Sequence, residues 1–237
     1  GKWGRFLGGT GCYLYIHYLT KEVVSLRPDE YEEEVTINTN TNDISEAHQD
    51  PANGIQRIDL ENLQSEIDKI IQETKKTPLL IDPSQSGVVR AFYSYKGQLE
   101  DVSSLTIPFG KSGVKKEDIM ERCRAKLVCA LKTGATFALY MGDVCIEHAD
   151  FKTKLCKKEV FPKEVFINAG AKLLQPEYEP RYRAIYREAD LEAGQAVARE
   201  GFRSVVITTL NPYEYEAALC DCIPLGYMHP LYVNPCD

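Results

Sequence analysis

The stretch TPLLIDP at residues 77–83 decides the fold class of this 237-residue chain. It is a short apolar run that ends in turn-forming residues, which is the pattern of a strand buried in a parallel sheet. Three further runs of the same kind follow it, separated by stretches of other periodicity. The predicted strands are residues 77–83, 102–107, 135–143 and 204–210.

Apolar residues at helical spacing fill the intervals between these strands. The predicted helices are residues 60–71 with Asp59 as the cap, then 88–95, 119–134, 165–174 and 214–219. Strands that alternate with helices predict an α/β domain with a mostly parallel sheet flanked by helices. We assign residues 55–237 to this domain.

Residues 105–113, LTIPFGKSG, look like the start of a phosphate-binding loop. Such a loop has the pattern G-x-x-x-x-G-K-[ST], and its first glycine lets backbone N–H groups turn toward the phosphates. Lys111 and Ser112 are present, but the position of the first glycine is Leu105, and Pro108 has no N–H to donate. We therefore predict a helix capped by Ser112 and a solvated Lys111.

The order of the elements resembles the fifth AAA module of the dynein heavy chain. That module has a strand ending in Ile-Asp-Pro, a helix that closes on glycine, and a Phe ahead of an Ile-Thr-Thr strand that leads into Asn-Pro. The matching residues are Ile81-Asp82-Pro83, Gly134, Phe202, Ile207-Thr208-Thr209 and Asn211-Pro212. The resemblance covers residues 77–233 and implies a P-loop/AAA-like fold that lacks a working nucleotide site and serves as structure.

One departure, one match and one partial match bear on nucleotide chemistry. Ser84-Gln85-Ser86 stands where the dynein module has Gln-Gly-Gln. Asn211 stands where AAA-type ATPases place a polar residue that orients the attacking water, and Asp143 ends an apolar strand, although Met141 and Gly142 separate it from the apolar part. A weak nucleotide-binding protein or NTPase that uses Lys111, Ser112, Asp143 and Asn211 is therefore an alternative. A single unit with no neighbour to donate an arginine cannot complete the usual composite site, so we expect no catalytic residues and no cofactor.

Residues 1–31 resemble a degenerate WW domain. Residues 13–17 and 22–26 are predicted strands of a small antiparallel sheet. The family has a first Trp, a Tyr in its middle strand, a Thr at a turn and a closing Pro, and the matching residues are Trp3, Tyr15, Thr20 and Pro28. Ser25 replaces the second Trp, which in the family stacks on a proline-rich ligand. The resemblance implies a folded module that has lost most of its binding surface, and a reader of proline-rich peptides is the alternative.

Residues 32–54 are rich in Asn, Thr and acidic residues, which is the composition of a linker. The net charge of −7 argues against nucleic acid or an anionic membrane as the main partner. No apolar run approaches the roughly 18 residues that span a bilayer. We expect a cytoplasmic protein whose partners are other proteins.

The cysteines are irregularly spaced, and several fall in apolar patterns, so we interpret them as reduced thiols. They are Cys12, Cys123, Cys129, Cys145, Cys156, Cys220, Cys222 and Cys236. The alternative for the last three cysteines is a zinc site formed by Cys220, Cys222, Cys236 and His229. A C-x-C spacing gives poor bite geometry for zinc, and we predict no metal.

The four histidines, His17, His48, His148 and His229, lie in no recognised nucleophile motif, and we interpret them as surface or structural residues.

The C-terminal segment, residues 222–235, is apolar and aromatic but too rich in proline for a helix. Packing on the core is the default. The alternative presents Tyr227, Met228, Leu231 and Tyr232 to a partner.

Together these features favour a non-catalytic interaction or scaffold protein. The dynein resemblance alone implies a ciliary, flagellar or other microtubule-associated assembly with cytoskeletal or axonemal partners.

Overall fold

The computed structural model describes residues 53–84, 86–103, 115–143, 161–220 and 223–234, together with the backbone of 3–7, 13–17 and 23–24. The chain divides into two compact units, residues 1–48 and 49–237.

The first unit contains three short antiparallel strands. They are β1 (Trp3–Leu7), β2 (Tyr13–His17) and β3 (Val23–Val24), in that order. Trp3 is opposite His17, and Tyr15 is opposite Val24. The WW assignment stays a prediction, because Thr20, Ser25 and Pro28 lie outside the described residues.

The second unit is an α/β structure built on six strands. The strands are β4 (Gln56–Ile58), β5 (Thr77–Ile81), β6 (Gly97–Asp101), β7 (Thr136–Gly142), β8 (Arg203–Thr208) and β9 (Met228–Val233). The α-helices are α1 (Leu63–Thr74), α2 (Val88–Lys96), α3 (Lys116–Thr133), α4 (Glu179–Arg183) and α5 (Tyr215–Leu219). Short 3-10 helices include Lys163–Phe166 and Asn168–Leu174.

The six strands form one sheet in the order β4-β9-β5-β8-β7-β6, and every pairing is parallel. The prediction of an α/β domain with a sheet flanked by helices is confirmed. Both faces of the sheet are covered, which explains why its central strands are continuous apolar runs.

Residues of one strand alternate between two hydrophobic cores. Leu80 of β5 packs with α1 and α2 on one face, whereas Leu79 and Ile81 pack with α3 and α5 on the other. Helix α1 buries Leu63, Ile67 and Ile70, which recur every three or four residues and so form one stripe.

Helix α3 ends where the sequence predicted, at Gly134. This glycine has φ 69°, the left-handed conformation of a helix C-cap, and a Cβ there would lie 2.4 Å from the carbonyl oxygen of Glu200. The residue must therefore be glycine both for its backbone conformation and for the close approach of the chain.

Several predicted elements differ from the structure. The predicted strand 102–107 is wrong in position, since β6 covers Gly97–Asp101 and residues 104–107 lie outside the described part. Strand β6 was missed because it is an edge strand with polar residues rather than an apolar run. The predicted helix 165–174 is instead two 3-10 helices, and the second contains the left-handed residues Ala169 and Gly170. Asp59 precedes a 3-10 turn and makes no side-chain cap bond.

The C-terminal strand β9 is not among the predicted strands; the proline content of residues 222–235 argues only against a helix. Pro230 is tolerated because β4 begins to pair with β9 only at Leu231, so the proline lies where β9 pairs on one side alone. In the part of the chain that the structure describes, no helix is long and apolar enough to cross a membrane.

Candidate functional site

The carboxyl ends of β5 and β8 form the topological switch point of the sheet. Strand β5 leads into α2 on one face, and its neighbour β8 leads into α5 on the other face. The connections thus leave adjacent strands in opposite directions and open a crevice between them. In open α/β sheets ligands bind in such a crevice, so this edge is the candidate site.

The loop between β5 and α2, residues 82–87, is where a phosphate-binding loop would lie. Asp82 is 2% exposed, and its N–H donates to the carbonyl oxygen of Thr208 over 2.9 Å. The Asp82 carboxylate accepts hydrogen bonds from the backbone N–H of Ser84 over 3.1 Å and from its hydroxyl. Gly87 precedes α2 with φ 67°. The buried Asp82 carboxylate therefore stabilises the first turn of the loop through its hydrogen bonds to Ser84.

Position by position, this loop has the length of the pattern G-x-x-x-x-G-K-[ST] but not its chemistry. Asp82 takes the place of the first glycine, and Gly87 keeps the second. Val88 and Val89 take the places of the lysine that reaches the phosphates and the hydroxyl that binds Mg²⁺. Val89 is fully buried and packs under the sheet. A phosphate bound at this loop would therefore meet a carboxylate and two aliphatic side chains.

Hydrogen bonds fasten the end of β8 to the end of β7. The Thr208 hydroxyl donates to the carbonyl oxygen of Gly142 over 3.0 Å and accepts the N–H of Leu210 over 3.2 Å. The N–H of Thr209 donates to the same Gly142 carbonyl over 2.9 Å. The two threonines of the Ile-Thr-Thr motif thus have structural partners.

Asn211 follows β8 closely and is exposed. Its side-chain oxygen accepts the N–H of Tyr213 over 2.9 Å, and its backbone carbonyl accepts the N–H groups of Glu214 and Tyr215. The side chain forms an Asx turn that leads into α5. The presence of Asn211 is therefore explained by this turn and does not require a role in orienting water.

Arg90 brings a cation from α2 to this edge of the sheet. Its guanidinium lies 2.7 Å from the Asp101 carboxylate at the end of β6 and 5.0 Å from the centre of the Tyr140 ring. Burial raises the pKa of the Tyr140 hydroxyl, and the nearby Arg90 opposes that shift. The guanidinium is therefore engaged by an anion and an aromatic face of the same chain.

The predicted nucleotide residues do not come together as a described site. Lys111 and Ser112 lie outside the described residues, and the strand before them ends at Asp101. The N-cap of α3 is Lys115, so the prediction that Ser112 caps this helix is wrong. Asp143 is exposed and follows β7 directly, because Met141 and Gly142 belong to the strand.

Three carboxylates follow described strands at this edge, namely Asp82 after β5, Asp101 at the end of β6 and Asp143 after β7. Arg90 forms an ion pair with Asp101. Sequence reasoning missed Asp82 and Val88 as loop positions because it followed the Gly-Lys-Ser at 110–112. The usable signal was the spacing of Asp82 and Gly87 between an apolar strand and a helix.

The predicted C-terminal interface residues are mostly internal. Met228, Leu231 and Tyr232 are buried in β9, so they are not available to a partner, while Tyr227 is 51% exposed. In the first unit, Trp3 and Tyr15 lie in β1 and β2.

The described part of the chain holds no cluster of three metal-ligating side chains. Of the zinc candidates, Cys220 is exposed at the end of α5 and His229 lies half-buried in β9, while Cys222 and Cys236 lie outside the described residues. Burial, and secondarily Lys76, lowers the pKa of His229. His17 lies in β2, and His48 and His148 lie outside the described part.

Comparisons of the chain with protein-family models, with curated proteins and with solved structures found no match.

Proposed function

We propose that this protein is a non-catalytic interaction or scaffold protein whose second unit is a P-loop/AAA-like α/β domain without nucleotide chemistry. The observation that carries the proposal is the loop at residues 82–89. A buried carboxylate at Asp82 and aliphatic side chains at Val88 and Val89 occupy the positions that phosphate and Mg²⁺ need. A nucleotide phosphate brought to this loop would meet a like charge and no cation from the loop itself.

The topology supports the AAA-like part of the proposal. Strand β5, the first strand of the region that resembles dynein, is central in the sheet, and its loop faces the end of β8 at the switch point. The Ile-Thr-Thr and Asn-Pro matches lie at that end. Because Thr208 and Asn211 have structural roles there, their presence is accounted for by the fold. The ciliary, flagellar or microtubule-associated setting rests on the resemblance alone.

Nucleotide titration of the full chain tests the proposal. A ligand at 100 times its Kd stabilises a protein by about 2.7 kcal/mol, which for a domain of this size raises Tm by roughly 5–11 °C. We expect no rise in Tm with millimolar ATP or ADP and Mg²⁺. A rise that Lys111→Ala abolishes would overturn the proposal in favour of the Gly-Lys-Ser loop.

The interaction role has its own test. Affinity purification of the tagged chain from its native source, followed by mass spectrometry, should recover cytoskeletal or axonemal proteins. Recovery of no such protein above an untagged control would contradict the proposed setting.

A further inference from the structure

We draw no further inference here: the strongest candidate, the groove between α3 and residues 190–199 whose lining includes Cys129, carries none, because its cations Lys132 and Arg199 both pair with Glu192 of the same groove and nothing in the described part of the structure shows what would bind there.

Discussion

A buried threonine at the start of β5 should contribute to stability out of proportion to its size. Thr77 is fully buried, its hydroxyl donates to the carbonyl oxygen of Phe166 over 2.7 Å, and it accepts the N–H of Ala169 over 2.9 Å. These two bonds hold the 3-10 segment at residues 163–174 against the sheet.

Thr77→Val keeps the shape of the side chain and removes both hydrogen bonds. A buried polar group that loses its partner costs about 1–3 kcal/mol. The substitution leaves two buried groups without a partner, the Phe166 carbonyl oxygen and the Ala169 N–H. The carbonyl tolerates this better because it has a second lone pair, so we expect the free energy of unfolding to fall by about 2–4 kcal/mol. Thr77→Ser keeps the hydroxyl and loses one methyl, which costs about 1 kcal/mol.

Urea unfolding of the full chain, followed by far-UV circular dichroism, measures both changes. Hydrogen exchange of the Ala169 amide should accelerate in Thr77→Val and stay close to the unmutated protein in Thr77→Ser. A Thr77→Val variant as stable as the unmutated protein, or a Thr77→Ser variant less stable than Thr77→Val, would contradict a stabilising role of these two hydrogen bonds.

Two more perturbations follow from the described geometry. Gly134→Ala should lower the free energy of unfolding in urea by about 2–4 kcal/mol, because the new Cβ would clash with the carbonyl oxygen of Glu200. Gly54 is also at positive φ but has open space around its Cβ, so Gly54→Ala should lower it by only about 1 kcal/mol. Equal losses in the two variants would contradict this expectation. The pKa of Glu121 is lowered chiefly by the hydrogen bonds that its carboxylate accepts from Arg124. Burial raises the pKa of Asp190, but hydrogen bonds from Arg187 and Arg124 outweigh the burial and lower this pKa overall. A carboxylate whose pKa is lower in the folded than in the unfolded state stabilises the fold above the unfolded-state pKa, so this stabilisation should be lost as the pH falls below about 4. In Arg124→Met the free energy of unfolding should therefore fall less steeply with acidification than in the unmutated protein. An equal steepness in both would contradict this prediction.

The central strands and the long helices follow from local pattern alone. The strand at residues 77–83 is buried on both faces, and the helix that ends at Gly134 is buried along one stripe. Their apolar patterns can therefore be recognised from the sequence without the tertiary structure. Strands β6 and β9 are different, because β6 is an edge strand with polar residues and β9 contains a proline. They exist through their pairing with β7 and β5, which no local pattern encodes.

Part of the candidate site could be predicted from the sequence. Asp82 and Asn211 belong to the motifs that resemble dynein, but the phosphate-loop pattern in the sequence is Gly110-Lys111-Ser112, which follows a different strand. Only the sheet order shows that β5, and not β6, is the central strand at the switch point. Arg90, Asp101 and Tyr140 lie on α2, β6 and β7, so their contacts depend on the tertiary structure and no spacing within one element indicates them.

The most direct test of the central claim is isothermal titration calorimetry of the full chain with Mg²⁺-ADP, beside a variant that restores the loop chemistry. The variant combines Asp82→Gly, Val88→Lys and Val89→Thr, so that residues 82–89 regain both glycines, the lysine and the hydroxyl. We expect no saturable heat for the unmutated protein and measurable binding for the folded variant. Saturable binding by the unmutated protein, or none by the folded variant, would contradict the claim that these three residues exclude the nucleotide.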